Sequence, residues 1–424
     1  MAKDKLTDYD ATASNNTDVG GISVAEGMLP SGVNNAIREQ MSHLADFAAG
    51  TSGVDVLKLQ DDTDTNSIKL QAPASVTADT TFTMPDGDGS ADQVLKTDGS
   101  GQLGWADRHA NPSLIINGAM TIDQRNNGAS GTDASVYTVD RWQYLPSQTL
   151  KFTWGQNLGS VTPPDSFTNY LGFSSSSSYS IGSSDYFVAW HKIEGYNTAH
   201  LKWGTASAKT VTLSFWVRSS LTGTFGGALK NGARDRAYPF TYTISSADTW
   251  EQKSITVSGD TTGTWNTTNS TGILLSFGLG VGSTLSGTAG AWAAGDAFTA
   301  TGATSVVGTS GATFYITGVK LEVGSTATDF VHRSYGEELA LCQRYYEVEN
   351  NIYVVSADTT VNNNEYYTGF FAVTKRANPN VSVTGTWSGS TPTVEAGRLN
   401  SYRLTSGSNF YSNDTGNVVA DAEL

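Results

Sequence analysis

The side chains in this sequence that best suit a binding chemistry are aromatic rings set beside polar groups. Flat ring faces can hold the C–H groups of a sugar, while amides and charged groups bond its hydroxyls. In the run Val211–Arg218, apolar residues alternate onto one face of a strand, which places Trp216 and Arg218 together on the other face. This pair is a candidate carbohydrate or receptor platform. The alternative is that a loop or a neighbouring subunit covers the Trp216 ring.

A second set of rings lies near the C-terminus, among Gly, Ser and Asn residues. These further candidate receptor-binding residues are Trp387, Tyr402, Phe410 and Tyr411. Some of them are expected to be core residues, because a β domain also needs aromatic side chains inside it.

Motifs for catalysis are missing from the sequence, which contains no Gly-x-Ser-x-Gly, His-Glu-x-x-His or Gly-x-x-x-x-Gly-Lys-Ser/Thr. The histidines are scattered, so no metal site is predicted; a structural calcium ion stays open, without an assigned position. Cys342 lies on the apolar stripe of a short predicted helix, which favours a buried thiol over a nucleophile. We therefore predict a non-enzymatic protein without catalytic residues or a cofactor. A polysaccharide depolymerase, which needs two carboxylates across a groove, is the alternative.

The composition favours an all-β protein that binds neither nucleic acid nor membranes. Charged residues make up only 15% of the chain, against roughly 25% in typical soluble proteins, and Gly and aromatic residues are abundant. The net charge of -15 repels phosphate backbones and anionic lipids. No run approaches the ~18 apolar residues of a membrane span, and the first residues lack the apolar core of a signal peptide. We expect no nucleic-acid partner, no membrane insertion and synthesis in the cytoplasm.

One early helix is predicted at residues 31–50. Its apolar residues recur at spacings of four and three and form one narrow stripe: Val33, Ile37, Met41, Leu44 and Ala48. No neighbouring helix is predicted that could cover this stripe, so a short coiled coil of identical chains would do so. The alternative is a helix docked on a β domain.

Residues 51–110 are predicted to form short strands joined by turns, including one at Thr80–Met84 and a hairpin with Asp98–Gly99 at its tip. The segment has too few core residues for a monomeric domain, since small units bury little surface. Intertwining of several chains into a β shaft would supply the missing core.

The rest of the sequence predicts two β domains joined by a helix. Residues 111–335 contain many strands with alternating apolar and polar residues, which favours an antiparallel jelly-roll sandwich. A linking helix is predicted at 336–346, and a smaller C-terminal β domain, expected to be a receptor-binding tip, at 347–424. The predicted fold class is therefore mostly β.

Four segments resemble the tail fibre (receptor-binding) proteins of tailed bacteriophages, particularly those of marine and cyanobacterial phages. The segments are Gly20–Arg38, Ser67–Gly99, Asn111–Trp142 and Val319–Tyr346. The last of them is the most specific. Together they cover most of residues 15–346, whereas the chain after Tyr346 matches only by its position as the variable tip.

The resemblance implies an elongated homotrimer that residues 1–30 fix to adaptor or nozzle proteins of the phage tail. The apolar residues of this tail-attachment segment are Val19, Ile22, Val24 and Leu29. The far end is expected to bind a host surface glycan or outer-membrane protein, with a jelly roll similar to carbohydrate-binding modules. The implied function is host adsorption by a non-catalytic fibre of the virion. A purely structural virion fibre is a further alternative.

Overall fold

Short antiparallel strands dominate the computed structural model, as a sequence rich in β-branched, aromatic and turn-forming residues predicts. The chain divides into two units, Met1–Arg108 and His109–Leu424. The structure describes residues 8–10, 12–25, 27–49, 56–60, 67–71, 75, 80–89, 93–107, 112–132, 134–350, 352–354, 365–406, 410–412 and 416–424. The prediction of a mostly β protein with a β-sandwich is confirmed. Within these ranges, no helix is long and apolar enough to cross a membrane.

The first unit begins with a small hairpin and a helix, followed by two further hairpins. Its elements are β1 (Asp18–Val19), β2 (Ile22–Ser23), α1 (Pro30–Ala49), β3 (Val56–Gln60), β4 (Ser67–Gln71), β5 (Gln93–Thr97) and β6 (Leu103–Asp107). One face of α1 is buried at Ala36 and His43, and Val19 of the hairpin is 1% exposed. The Tyr9 hydroxyl and His43 Nδ1 share a hydrogen bond of 2.9 Å. This contact covers one side of the helix only.

The predicted apolar stripe of α1 faces solvent in the single chain. Val33, Ile37, Met41 and Leu44 are 44%, 51%, 63% and 55% exposed; Ala48 is exposed as well. The helix itself is therefore present, while its coiled coil with identical chains stays a prediction.

The predicted tail-attachment residues differ in exposure. Val19 is buried within its own unit, so it cannot contact a tail protein as predicted; its role is to pack the hairpin beside the helix. Ile22 and Val24 are half-buried, and Leu29 is 74% exposed.

The strands after α1 pair locally, β3 with β4 and β5 with β6. The turn between β5 and β6 has the predicted Asp-Gly tip: Asp98 accepts hydrogen bonds from Ser100 N (2.8 Å) and Gln102 N (3.1 Å). Gly99 has a φ of +88°, a conformation that glycine adopts without strain. The predicted strand at Thr80–Met84 is wrong, because only an isolated bridge from Thr83 to Gln102 forms there. Intertwining of this segment with other chains stays a prediction.

The second unit is built around a β-sandwich. Its strands are β7 (Val136–Val139), β8 (Trp142–Pro146), β9 (Phe152–Gln156), β10 (Leu171–Ser175), β11 (Tyr186–Glu194), β12 (Val211–Ser219), β13 (Gly223–Asn231), β14 (Arg236–Ile244), β15 (Glu251–Val257), β16 (Thr271–Val281), β17 (Ser286–Gly287), β18 (Ala293–Ala294), β19 (Thr299–Ala300) and β20 (Thr313–Val323). Five strands form one sheet in the order β15-β12-β20-β10-β9, and seven form the other in the order β18-β14-β13-β16-β11-β8-β7. A short helix, α2 (Gly195–Thr198), follows β11.

The sandwich core lies between the two sheets and confirms the predicted alternation. Val211, Leu213, Phe215 and Val217 of β12 are all fully buried. The Phe215 ring packs edge-on against the Phe277 ring of the opposite sheet at 5.0 Å. Burying each such side chain contributes roughly 1.5–3 kcal/mol, which is why this alternation fixes the register of the strand.

The helix α3 (Tyr335–Gln343) leads from the sandwich to the C-terminal β domain. It starts with a capping box, in which the side chains and backbone of Ser334 and Glu337 bond each other. Cys342 is fully buried on this helix, and burial raises the pKa of its thiol well above the usual value. The prediction of an inert buried thiol is therefore supported by its environment.

The C-terminal domain consists of three small antiparallel sheets. Its strands are β21 (Tyr346–Glu349), β22 (Tyr353–Val354), β23 (Glu365–Phe370), β24 (Asn380–Thr384), β25 (Trp387–Gly389), β26 (Thr393–Gly397), β27 (Ser401–Ser406), β28 (Phe410–Ser412) and β29 (Asn417–Asp421). The sheet orders are β21-β29-β24, β22-β28-β25 and β23-β27-β26.

Charged and aromatic groups fix this domain to the sandwich. Glu194, at the end of β11, accepts hydrogen bonds from Arg344 (2.6 and 2.9 Å) and from the Tyr345 hydroxyl (2.7 Å). The Arg141 guanidinium lies 3.6 Å from the centre of the Tyr345 ring. Glu194, Arg141 and Tyr345 are buried, so these charge-assisted contacts stabilise the junction between the two domains.

Candidate functional site

Trp216 and Arg218 lie together on the outer face of the five-stranded sheet, as the alternation predicts. Trp216 is half-buried. A Cβ at Gly318 would lie 3.1 Å from Trp216 Cδ1 and 2.6 Å from Phe167 Cζ, so both rings close over this glycine. Arg218 bonds Asp248, with Nε 2.9 Å from the backbone oxygen and Nη2 3.1 Å from Oδ1. The pair therefore offers only part of a ring and a guanidinium that is already engaged.

The neighbouring rings on this sheet face are also covered. Tyr315 is 5% exposed and Tyr170 is fully buried, with their ring centres 5.4 Å apart. Trp250 packs against Tyr170 and donates its indole N–H to Thr162 O at 2.8 Å. Loops therefore cover much of this surface, which agrees with the alternative interpretation of Trp216.

The prediction that Trp387 and Tyr402 bind a receptor is wrong. Both belong to the core of the C-terminal domain, where they are 8% and 1% exposed. The Tyr402 hydroxyl donates to Glu349 Oε2 at 2.6 Å, and the Trp387 indole N–H donates to Thr384 O at 3.0 Å. The physical reason is size: a domain of small sheets has few other large residues with which to fill its interior. Phe410 and Tyr411 lie on β28, but their side chains are outside the described part of the structure.

A cluster of three tryptophans at one end of the sandwich was not predicted. The rings of Trp203, Trp265 and Trp292 meet edge-on, with centre-to-centre distances of 4.7 Å between the first two and 5.3 Å for each of the other two pairs. The indole N–H groups donate to Lys209 O, Thr262 O and Ser258 O respectively. Trp203 is 7% exposed, while Trp265 and Trp292 are half-buried.

Two neighbouring strands bring the parts of this cluster together. The segment after β11 contains Trp203, and the loop before β16 contains Trp265; because β11 and β16 pair antiparallel, the end of one meets the start of the other. Gly195 N donates to Ser270 O and Tyr196 N donates to Thr268 O, both at 2.8 Å. The loop and the segment are thus bonded backbone to backbone.

Glycines allow this close approach. A Cβ at Gly195 would lie 2.5 Å from Asn266 O, closer than any real side chain tolerates. Gly204 has a φ of +83°, and its Cβ would lie 3.1 Å from Trp265 Cδ1. Only glycine fits both the left-handed backbone and the ring at that position.

A buried ion pair holds the base of the Trp265 loop. Asp260 is 2% exposed and accepts from Arg236 Nε (2.9 Å) and Nη2 (2.8 Å), as well as from Thr262 N (3.1 Å). Burial alone would raise the pKa of Asp260, but the hydrogen bonds from Arg236 and Thr262 outweigh it and lower the pKa below its usual value. The ionised carboxylate is therefore part of the folded loop.

Asp260→Asn is expected to destabilise the chain by about 2–3 kcal/mol, because it leaves the partly buried Arg236 without its charge partner. The pKa of Asp260 is lower in the folded state than in the unfolded state. The carboxylate therefore stabilises the fold fully above the unfolded pKa, near 3.9, and this stabilisation is lost as the pH falls through the folded pKa. Urea denaturation across this pH range measures both effects. If the difference in the free energy of unfolding between the wild type and the variant stayed constant down to the lowest pH, this role of Asp260 would be contradicted.

Two clefts border the Trp265 loop. The first has a volume of about 300 Å³ and is lined by Thr198, Ala199, Leu201, Lys202, Trp203, Thr205, Ser207, Trp265, Asn266, Thr267 and Ile273. The second has a volume of about 600 Å³ and is lined by Gly232, Ala233, Thr264, Trp265, Asn266, Thr267, Thr268, Ser270 and Thr271. We call them the Trp203 cleft and the Thr268 cleft.

The lining of these clefts suits hydroxyl-rich ligands. Aromatic surface stands beside many hydroxyl groups and the Asn266 amide, whose oxygen accepts from Thr268 N at 2.9 Å and Thr268 Oγ1 at 2.7 Å. The described lining residues of both clefts include no Asp or Glu. In the described ranges as a whole, no three His, Cys, Asp or Glu side chains are grouped so that they could hold a metal ion.

The three tryptophans left only a weak signal in the sequence. Trp203-Gly204 and Trp265-Asn266-Thr267 stand outside any alternating run, which marks loops but does not say that the loops meet. Their meeting depends on the pairing of β11 with β16, a contact between residues about 80 positions apart in the chain.

Neither a protein-family model nor a curated protein matches the chain. Among solved structures, the enzymatically active domain of tailspike protein 4 of bacteriophage CBA120 is 12% identical, with a TM-score of 0.29 over 50% of this chain and 21% of that chain. A family 11 carbohydrate-binding module from Clostridium thermocellum is 9% identical (TM-score 0.24, 47% and 98% covered). The N-terminal cellulose-binding domain of Cellulomonas fimi β-1,4-glucanase C is 16% identical (TM-score 0.19, 41% and 90% covered). At such identities and TM-scores these likenesses establish no function for this chain.

Proposed function

We propose that this chain is a non-catalytic tail fibre of a tailed bacteriophage that binds a host surface glycan through its β-sandwich. The observation that carries the proposal is the pair of clefts at Trp265, where half-buried indole surface stands beside hydroxyl and amide groups. Such surroundings suit the C–H faces and hydroxyls of a sugar. The tail fibre role itself rests on the resemblance of four segments, which cover most of residues 15–346, to such proteins.

The lining of the clefts favours binding over cleavage. Hydrolysis of a glycosidic bond needs two carboxyl groups, roughly 5–10 Å apart, on either side of the scissile bond. None of the described residues that line the Trp203 cleft or the Thr268 cleft carries a carboxyl group.

The exposed stripe of α1 supports self-association into a trimer. Four large apolar side chains, from Val33 to Leu44, are 44–63% exposed in the single chain. Their spacing is close to the seven-residue repeat of a coiled coil. Identical helices can cover these side chains by packing against one another. Three linked copies would also raise the effective strength of weak glycan contacts.

The proposal predicts retention on glycans without their degradation. Purified full-length chain, passed over immobilised lipopolysaccharide and capsular polysaccharide from candidate host bacteria, should be retained by at least one of them. The eluted sugar should contain no new reducing ends. Release of reducing ends would make the protein a depolymerase, and passage through every column would remove the glycan-binding proposal.

A further inference from the structure

We propose that the Trp203 cleft and the Thr268 cleft form one continuous site for an internal stretch of a neutral polysaccharide. This inference rests on the proposed glycan-binding function and specifies its ligand. A site for the end of a glycan or for a single sugar would need one closed pocket. Here two clefts lie side by side.

The first support is the wall that the two clefts share. Trp265, Asn266 and Thr267 line both of them. A ligand that fills both clefts must therefore contact these three residues along its middle. Trp265 is half-buried and its N–H is already bonded to Thr262 O at 3.2 Å, so the ring can contribute only apolar contact to successive sugar units.

The second support is the charge of the lining. Lys202 is the one charged residue among the described residues that line the two clefts, and the chain carries a net charge of -15. A carboxylated or phosphorylated sugar would need several cationic partners to offset its lost hydration and the overall repulsion. A neutral sugar needs only hydroxyl and amide groups, which the clefts supply.

The third support is the rigidity of the wall. The backbone bonds from Gly195 N to Ser270 O and from Tyr196 N to Thr268 O, both 2.8 Å, hold the loop from behind. The Asn266 oxygen is fixed by two hydrogen bonds from Thr268. Because little needs to be ordered on binding, weak contacts with several sugar units can add up to a measurable affinity.

The test is a calorimetric titration of the full-length chain with neutral oligosaccharides of increasing length and with uronic acid oligomers. Gluco-, galacto-, manno- and xylo-oligosaccharides make up the neutral panel. Affinity should rise with each added sugar unit until both clefts are filled, should favour neutral over acidic chains, and should change little with salt because no ion pair is involved.

Two variants test whether the ligand contacts the shared wall. Trp265→Ala should weaken binding roughly tenfold, or by about 1.4 kcal/mol. Thr267→Trp should weaken it at least as much, because Thr267 is exposed and a large ring there fills the clefts without removing a core contact. Thr243→Trp, at an exposed position of β14 outside both clefts, is the matched control and should bind like the wild type.

The outcomes separate this inference from the proposed function. Equal affinity for single sugars and long chains, a preference for uronic acid oligomers, or unchanged binding by both variants would overturn the two-cleft site, while glycan binding itself would stand. Binding of no saccharide in either panel would also overturn the two-cleft site, whereas passage through every column of host polysaccharide would overturn the proposed function and the inference together. Loss of binding in both cleft variants, with a normal Thr243→Trp control, supports the inference.

Discussion

Trp387→Ala is expected to destabilise the C-terminal β domain by about 3–5 kcal/mol, the usual cost of truncating a large buried ring. Trp387 is 8% exposed and packs in one core cluster with Phe371, Tyr402, Leu404 and Val418. The cavity left by the indole cannot be closed by the short strands around it. Differential scanning calorimetry should show a lower melting temperature for the variant than for the wild type.

Two milder variants control for this prediction. Trp387→Phe keeps most of the buried ring and should lose far less stability. Tyr402→Phe keeps its ring but removes the hydroxyl that bonds Glu349 Oε2 at 2.6 Å; burial raises the pKa of that carboxyl. The variant should therefore lose roughly 1–3 kcal/mol. If Trp387→Ala instead kept its full stability and lost glycan binding, the ring would be a binding residue after all.

Exchange of Ile37 and Met41 for glutamate should convert the proposed trimer to a monomer. The two side chains are 51% and 63% exposed on the stripe of α1. Three copies would bring six carboxylates together in an apolar seam, where burial of unpaired charge costs several kcal/mol per group. Light scattering of the purified chain should show a threefold lower mass than that of the wild type.

A charge-matched control variant distinguishes loss of the contact between helices from unfolding of the helix itself. Asn35 and Ser42 are exposed on the side of α1 that faces away from the stripe, and glutamate at both positions adds the same charge outside the apolar interface. This control should remain trimeric, with the circular dichroism of the wild type. A wild-type chain that is already monomeric would contradict the proposed self-association directly.

The sandwich could be predicted because its signal is local. Along β12, alternation alone identifies Val211, Leu213, Phe215 and Val217 as buried, and all four are. The Asp98–Gly99 turn could also be predicted, because the conformation of a turn depends mainly on the turn residues themselves. The helix α1 follows from one periodic stripe.

The candidate binding residues were harder to predict, because exposure depends on distant parts of the chain. Trp387 and Tyr402 stand among Gly, Ser and Asn, as surface rings do, yet both pack in the core cluster of the C-terminal domain. Trp216 faces outward as predicted, but the segment with Phe167 partly covers it. Trp265 gave only a weak signal, since its surroundings form only where the ends of β11 and β16 meet.

The junction after α3 contacts the strand that leads to the Trp203 cleft. Arg344 and Tyr345 bond Glu194 at the end of β11, the same strand that leads into the Trp203 segment. Within the second unit, Glu194 therefore connects the Trp265 end of the sandwich to the start of the C-terminal domain.

A crystal structure of the full-length chain with a bound neutral oligosaccharide, chosen as the tightest binder by calorimetry, tests the site most directly. We expect sugar density in contact with the Trp265 ring, with units on both sides of the Trp265–Thr267 wall. Density over Trp216 and Arg218, or on any surface away from the Trp203 and Thr268 clefts, would contradict the site on which the proposed function depends.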